Sequence, residues 1–413
     1  NTRGATGGLL RTYVRQGALT GHASNPLLPV MTTTLGPAFL AIGDGTSTVG
    51  RIVIENGRIA AILGADGPSD YPLPAGSSIA PGLIDVHTNG AGDMLFNRDQ
   101  GNAVPVASSE YARMGATGFV ASVMTAPFES MLHIASEVVD AAHDLEEDEP
   151  HGARCLGVHF EGPFLNPKFR GVHRGEWLMP ASAARAKEMV DACKGACLLV
   201  TMAPEVEGAA DAMRVFLQHG VVCSAGHTSS RYADGMLAIG LGFRSLTHAF
   251  NGMPPLIHRD PSILAAFIQD RRTMVQIIGD GYHVAPVMVD ILYRTVGGRI
   301  VLATDLMPPP DATYHIDGGV MRAGDGTIAG SALRIDRAVR NFMSYADISF
   351  EEAVMAATHA PAKLIGLEGE MGRIAPGMRA DLSFWDSQYA IIGTMVGGTM
   401  VYGPRAGTKT FAS

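Results

Sequence analysis

The stretch CLGVHFEGPF, residues 155–164, shows the pattern that indicates the fold. Its apolar run ends in polar residues and then in Gly-Pro. Seven other runs between residues 83 and 309 have the same character, and Ala-rich segments with helical spacing separate them. Such alternation is typical of parallel strands covered by helices on both faces. Eight strand–helix units favour a closed, TIM-like (β/α)8 barrel of the α/β class over an open sheet. The other runs are LIDVHTNG (83–90), GFVASVMTA (118–126), ACLLVTMAPE (196–205), VVCSAGHTSS (221–230), SLTHAFNGM (245–253), TMVQIIGDGYHV (273–284) and RIVLATDLMPP (299–309).

The segments on either side of the barrel have strand and turn character. STVGRIVIENGRIAAILGADG (47–67) alternates around an Asn-Gly turn, which predicts a β-hairpin, and residues 371–403 are similar. We therefore predict that residues 37–80 plus 366–413 form one small β-sandwich, beside a catalytic barrel of residues 81–365. Residues 348–366 predict a final helix that ends at Pro361 or Gly366. Residues 1–36 are left unassigned.

Composition excludes several classes of protein. Hydrophobic residues make up 46% of the chain and charged residues 17%, which indicates a globular protein with a large core. The net charge of −9 argues against a nucleic-acid partner, although one local cluster of Arg and His still suits a small anionic substrate. No apolar run is long enough to span a membrane, and the first 22 residues do not resemble a secretory signal. None of the four cysteines is in a C-x-x-C pair, so we expect buried free thiols and a cytoplasmic protein.

Imidazole and carboxylate side chains are concentrated where the predicted strands end. Barrel enzymes carry their catalytic groups at these ends, which meet at one rim. Neutral imidazole plus carboxylate is a usual ligand set for Zn²⁺ or Fe²⁺. Six strands ending in this way therefore predict a metal centre. The ends are Asp85-Val86-His87, His159-Phe160-Glu161, Gly226-His227, Thr247-His248, Asp280-Gly281-Tyr282-His283 and Thr304-Asp305.

The same motifs resemble those of a known family. PGLIDVHTNG, HFEGPF, GHT, THAFNGM, DGYHV and ATD occur in the order found in the amidohydrolase superfamily. HFEGPFLNPKFRGVH, THAFNGMPPLIHRDP and DGTIAGSAL resemble the N-acetylglucosamine-6-phosphate deacetylases in particular, and the resemblance runs from about residue 50 to residue 403. It implies a metal-dependent homodimer that hydrolyses the acetamide of this amino sugar phosphate to glucosamine-6-phosphate and acetate.

The resemblance implies a divalent metal, Zn²⁺ before Fe²⁺, held by Glu161, His227 and His248. The residue types agree, because one carboxylate and two imidazoles leave a position for water. For a single histidine, a satisfied core or capping residue is the alternative.

The number of metals depends on the first strand. Two-metal members of the superfamily carry H-x-H there, whereas this chain has His87-Thr88-Asn89. His87 is therefore either a ligand of a second ion, with Glu161 and Asp305, or a hydrogen-bonding residue beside a one-metal site. We expect one essential metal.

Two residues match the catalytic groups of the family. Asp305 resembles its general base, which takes a proton from water and passes it to the leaving amine; a helix N-cap is the alternative. His283 resembles the histidine that polarises the carbonyl of the substrate, and a hydrogen-bonded residue at a helix start is its alternative.

Other matches concern the substrate. The resemblance implies sugar and phosphate contacts at His173, Asn251 and Gly252. It also implies that Arg259, preceded by His258, reaches the substrate phosphate across a dimer interface, where arginine forms bidentate bonds. On residue type alone, Arg259 is as well explained as a surface charge.

Some alternatives stay open. Gly252 stands where alanine is commoner in the family, and Leu306 with a proline run follows Asp305. N-acetylgalactosamine-6-phosphate or another N-acyl amine is therefore an alternative substrate. Amidohydrolases that use a carboxylated lysine on strand four fit less well, because no lysine occurs at 201–205. A catalytically dead sugar-phosphate-binding protein would lack Asp305 or a ligand, and all are present.

Overall fold

A computed structural model describes residues 32–147, 149–308, 314–317 and 319–404. Most of the unassigned segment 1–36 lies outside these ranges, but residues 32–36 belong to the first strand. None of the described helices is both long enough and apolar enough to cross a membrane. All four cysteines are buried free thiols, as predicted.

Eight parallel strands form one sheet, paired in chain order and almost closed into a barrel. The prediction of a (β/α)8 barrel is confirmed, and each strand lies within or overlaps one of the eight apolar runs. The strands are β5 (Leu83–Thr88), β8 (Ala116–Met124), β9 (Arg154–Glu161), β10 (Cys197–Met202), β11 (Val222–Ala225), β12 (Ser245–Leu246), β13 (Met274–Ile277) and β14 (Ile300–Leu302).

The first and last barrel strands meet at a seam that leads into the site. Just beyond β14, the Asp305 amide donates to the carbonyl of His87 at 2.9 Å. The buried carboxylate of Asp85 accepts hydrogen bonds from Thr304 Oγ1 at 2.5 Å and from the Tyr111 hydroxyl at 2.7 Å. Burial raises the pKa of Asp85 despite these bonds. The seam thereby fixes the spacing between His87 and Asp305.

Helices cover the outside of the barrel. They are α1 (Phe96–Asp99), α2 (Ala103–Ala112), α3 (Phe128–Glu146), α4 (Ala183–Ala192), α5 (Ala209–Gln218), α6 (Tyr232–Leu241), α7 (Ile263–Gln269), α8 (Pro286–Val296), α9 (Ile335–Ala346), α10 (Phe350–Met355) and α11 (His359–Leu364). The single final helix predicted over residues 348–366 is wrong, because two short helices occupy it. Pro361 lies in the first turn of α11, where a missing N–H is tolerated.

Both ends of the described chain build a second sheet, which is consistent with the small domain that the flanking patterns predicted; its sandwich form stays a prediction. Its seven strands have the order β20-β19-β18-β4-β1-β2-β3, around a core that includes Leu35, Ile52, Ile79 and Phe384. The predicted hairpin is present and turns through Asn56 and Gly57, both with positive φ. The strands are β1 (Thr32–Ala41), β2 (Ser47–Glu55), β3 (Arg58–Leu63), β4 (Ser78–Pro81), β18 (Leu382–Trp385), β19 (Ile391–Val396) and β20 (Thr399–Tyr402).

Two smaller sheets flank the mouth of the barrel. A two-stranded ribbon follows β5, and an antiparallel three-stranded sheet follows β14. Residues 327–330, in and just before the last of these strands, line the site described next. The strands are β6 (Gly90–Ala91), β7 (Met94–Leu95), β15 (Tyr314–Asp317), β16 (Val320–Ala323) and β17 (Ile328–Ser331).

Candidate metal and catalytic centre

Three buried ligand atoms converge at the carboxyl ends of three barrel strands. Glu161 is the last residue of β9, His227 follows β11 and His248 follows β12. Glu161 Oε1 lies 3.2 Å from His227 Nε2 and 3.3 Å from His248 Nε2, and the two imidazole nitrogens lie 3.0 Å apart. The structure thus brings together the three residues that the sequence suggested as metal ligands.

The protonation of the two rings makes this cluster one of acceptors. His227 Nδ1 lies 2.8 Å from the carbonyl of Phe169, and His248 Nδ1 lies 3.1 Å from the carbonyl of Asn251. A carbonyl only accepts, so each Nδ1 carries a proton, and in the neutral form of each ring Nε2 presents a lone pair. Two lone pairs and a carboxylate oxygen then face one another, an arrangement that a cation relieves. Tetrahedral ligands at about 2.0–2.2 Å from Zn²⁺ lie roughly 3.3–3.6 Å apart, close to these spacings.

Several residues of the centre have strained backbones. His227, His248 and Asp305 have φ values of 47°, 30° and 49°. Such conformations cost on the order of 1–3 kcal/mol each in non-glycine residues and persist where surrounding contacts impose them. The strain aims side chains from the strand ends into one cavity.

The second oxygen of Glu161 faces two other histidines. His87 Nε2 lies 3.4 Å from Glu161 Oε2, and His173 Nε2 lies 3.6 Å from the same oxygen. Burial opposes protonation of His87, but the carboxylates of Glu161 and Asp305 outweigh it and raise its pKa to about 9. Burial lowers the pKa of His173 to about 3, so this ring is neutral.

Asp305 lies beside this second oxygen. Its Oδ1 accepts a hydrogen bond from Asn89 Nδ2 at 2.7 Å and lies 3.4 Å from His87 Nε2. His87, Glu161 and Asp305 are close enough to hold a cation together, as are Glu161, His173 and His227. Geometry alone therefore allows either role that we considered for His87.

His283 is fixed by a carboxylate. Its Nδ1 lies 2.6 Å from Asp280 Oδ2, and Asp280 Oδ1 accepts the backbone amides of Tyr282 and His283 at 2.8 Å each. Burial acts to raise the pKa of Asp280, but its bonds to His283 outweigh burial and lower it. The ring lines the cavity, with Nε2 left for a ligand.

A cavity of about 280 Å³ connects these residues. His173, Asn251 and Gly252 line it, as expected for substrate contacts. Gly252 has φ of 60°, and a Cβ there would lie 3.0 Å from His227 Nδ1. Its lack of a side chain leaves room for both imidazole rings. Apolar side chains form another wall: Met124, Val172, Ile278, Met307 and Ile328.

His258 and Arg259 lie apart from this cavity. Both are exposed, and neither lines the cavity of its own chain. Leu256 and Ile257, just before them, are 44% and 43% exposed. The structure therefore brings together every suggested site residue except this pair.

Sequence reasoning missed three residues that hold the others in place. Asn89 binds Asp305, Asp280 binds His283, and Glu205 ties together the loops around His227. The Glu205 carboxylate accepts hydrogen bonds from Thr228 Oγ1 at 2.5 Å, from the Ser229 amide at 2.6 Å, from Ser230 Oγ at 2.8 Å and from Asn166 Nδ2 at 2.9 Å. Their positions at strand ends were the one available signal.

His159, two residues before the end of β9, is not part of the cluster. Its ring hydrogen-bonds to Ser122 Oγ at 2.9 Å and to Thr201 Oγ1 at 2.8 Å, and Thr201 continues to Thr247 at 2.7 Å. Burial holds the pKa of His159 well below its usual value, so the ring is neutral. It belongs to a hydrogen-bonded layer below the site, inside the barrel.

Known proteins are similar to this chain in sequence and in fold. The model of the amidohydrolase family matches residues 78–401. An N-acetylglucosamine-6-phosphate deacetylase of Vibrio furnissii is 31% identical over 85% of this chain and 90% of its own length. An N-acetylgalactosamine-6-phosphate deacetylase of Escherichia coli O157:H7 is 30% identical over 86% of this chain and 96% of its own. A solved Mycobacterium smegmatis N-acetyl-D-glucosamine-6-phosphate deacetylase mutant, in complex with N-acetyl-D-glucosamine-6-phosphate, matches with a TM-score of 0.83 and 29% identity, over 90% of this chain and 99% of that one.

Proposed function

The chain belongs to the amidohydrolase family, and on that premise we propose that it hydrolyses the acetamide of N-acetylglucosamine-6-phosphate to glucosamine-6-phosphate and acetate. The acceptor cluster of Glu161, His227 and His248 beside Asp305 carries the proposal. Such a cluster suits a cation, and the neighbouring carboxylate is placed to act as the base in hydrolysis. The deacetylases among the relatives and solved structures supply the substrate class.

The metal proposed for Glu161, His227 and His248 is one essential Zn²⁺, with Fe²⁺ as the alternative. When bound, it supplies Lewis acidity, which lowers the pKa of water and polarises a carbonyl. The Nε2 lone pairs of His227 and His248 fit such an ion, and so does the buried carboxylate of Glu161. His87 is proposed as a neighbour beside a one-metal site, in charge contact with Glu161 and Asp305, and a ligand role at a second ion is the alternative.

Asp305 is proposed to move the proton. Asn89 occupies Oδ1, which leaves Oδ2 to take a proton from the attacking water. The same oxygen then donates this proton to the departing nitrogen, so that one carboxylate acts as base and then as acid. His283, held through Nδ1 by Asp280, is proposed to contact the acetamide oxygen through Nε2.

His173, Asn251 and Gly252 are proposed to bind the sugar within the cavity. Arg259 and His258 are proposed to act on the phosphate in a homodimer, each chain supplying them to its partner. Their exposure away from their own cavity supports this arrangement. If sedimentation showed a fully active monomer at working concentrations, the role across the interface would be abandoned. The four free thiols support a cytoplasmic location.

The decisive experiment measures acetate release by the zinc-loaded protein. N-acetylglucosamine-6-phosphate is compared with the unphosphorylated sugar and with the galacto epimer of the phosphate. We expect strong preference for the phosphorylated gluco compound. The galacto epimer is the second candidate because a relative of similar identity carries that activity in its name. No turnover of any of the three would reject the substrate class and would leave the metal site to be tested on other N-acyl amines.

A further inference from the structure

A second cavity lies at the opposite end of the barrel from the candidate centre. It measures about 180 Å³ and lies between the N-terminal end of β9, helix α3 and the small sheet domain. Arg154 opens β9, whereas Glu161 closes the same strand. The cavity is therefore separate from the site that binds the proposed substrate.

Two arginines at the inner wall of this cavity contact one buried carboxylate. Arg154 Nη2 and Arg379 Nε both lie 3.2 Å from the same oxygen, Asp381 Oδ2. The other oxygen of Asp381 accepts the Gly397 amide at 2.7 Å. Two guanidinium groups thus share one buried carboxylate.

The pKa shifts reflect the closeness of the two guanidinium groups. Burial and the neighbouring Arg379 both lower the pKa of Arg154. Burial acts to raise the pKa of Asp381, but the two arginines outweigh it and hold the pKa below its usual value. The cavity wall is thus a place where an added negative charge is favourable.

The remaining charges lie toward the opening. Arg58 pairs with Glu370 at 3.0 Å, and both side chains are about two-fifths exposed, so this pair adds no net charge. Glu146, whose charge also acts on Arg154, is exposed at the rim together with His143 and His151, where water weakens the effect of each charge.

The arginines also have hydrogen-bond donors to spare. Arg379 uses Nε for Asp381, and its terminal amino groups have no hydrogen-bond partner among the described residues. Apolar side chains lie beside them, including Val139, Ala142, Leu156 and Leu367. A fork of guanidinium donors next to an apolar wall suits an oxyanion that carries a short carbon skeleton.

We propose that this cavity binds a small metabolite through a carboxylate or phosphate group, between the barrel and the small domain. The oxygens of the ligand accept hydrogen bonds from Arg154 and Arg379, and the apolar part of the ligand packs against α3. Because both domains contribute to the cavity, the ligand stabilises their contact. The proposal does not depend on the substrate of the other site.

The test measures binding of two probes, succinate and inorganic phosphate, to the zinc-loaded full chain by calorimetry and by thermal unfolding. We expect saturable binding of at least one probe with a rise in Tm. Succinate alone would identify a carboxylate ligand, phosphate alone a phosphate ligand, and both a general oxyanion site.

Variants assign the binding to this cavity. Arg379→Gln is chosen because Arg379 is more exposed than Arg154, and Arg214→Gln on α5 is the matched control at an exposed arginine. Ala142→Phe fills the cavity without changing its charge. We expect affinity to fall about tenfold or more in Arg379→Gln and Ala142→Phe, and to be unchanged in Arg214→Gln. Absence of saturable binding, or equal affinity in all four proteins, would overturn the proposal. Phosphate binding that only the substrate displaces would do the same.

Discussion

The two oxygens of Glu161 face differently built halves of the same site. On the Oε1 side, His227 and His248 each have Nδ1 bonded to a backbone carbonyl, so both rings are fixed before any ligand arrives. On the Oε2 side, His87 is fully buried, yet neither ring nitrogen has a hydrogen-bond partner among the described residues. Its contacts with Glu161 and Asp305 are charge contacts at 3.4 Å. One half is prearranged to bind a cation, and the other half is held mainly by charge.

The largest effect is expected from damage to the prearranged half. His227→Ala removes a ligand atom and the ring that opposes His248. We expect zinc content to fall from about one ion per chain toward zero, and turnover to fall about 10⁴-fold or more because water is no longer activated. Metal analysis after dialysis, beside an acetate-release assay, checks both. Retention of a full equivalent of zinc would place the metal elsewhere.

Asp305→Asn tests the other half without touching the prearranged one. The change removes the proton acceptor and keeps the shape of the side chain. We expect kcat to fall about 10²–10⁴-fold, with zinc content nearly unchanged. Near-normal turnover would exclude Asp305 as the general base.

Glu205→Gln asks whether the hydrogen bonds behind His227 matter. The substitution replaces an acceptor of several hydrogen bonds by a group that also donates. It therefore loosens the loop that follows His227 and the bond from this carboxylate to Asn166. We expect zinc affinity, measured by competition with a chelator, to fall about 10–100-fold. Glu207→Gln is the matched control, because Glu207 is a nearby exposed carboxylate outside this set of bonds. Equal affinities in the two variants would show that the ring is held without Glu205.

The smallest effect is expected on the pH dependence of stability, through the charge of His87. In the metal-free protein, its pKa is raised from 6.5 to about 9. The folded protein therefore holds this proton more tightly than the unfolded chain does. The resulting stability is fully present below pH 6.5 and is lost as the pH rises toward 9. We expect the urea midpoint of the metal-free protein to decrease over this window, and much less in His87→Gln. Parallel pH profiles of the two proteins would contradict the charge contact.

The sequence predicted the barrel because a buried parallel strand is a local pattern. CLGVHFEGPF shows where β9 ends, and therefore that Glu161 reaches the rim. The orientation of a ring is not local. His227 is fixed by the carbonyl of Phe169, 58 residues earlier in the chain, and no pattern around residue 227 indicates it. The break between α10 and α11 was missed because both helices share one helical periodicity. The separation of Arg259 from its own cavity was equally invisible, since it depends on the path of an exposed loop.

One strand of the small domain is synthesised long before one of its partners. Strand β4 pairs with β1 on one side and with β18 on the other, so the middle of that sheet joins the two ends of the chain. About 300 residues separate the partners β4 and β18, which at about 5–20 residues per second is on the order of 15–60 s of translation. During that interval β4 has an open edge, and an open edge invites pairing with another chain. Pairing with β18 closes this edge, so the growing chain is exposed to aggregation until β18 has been made and has reached β4.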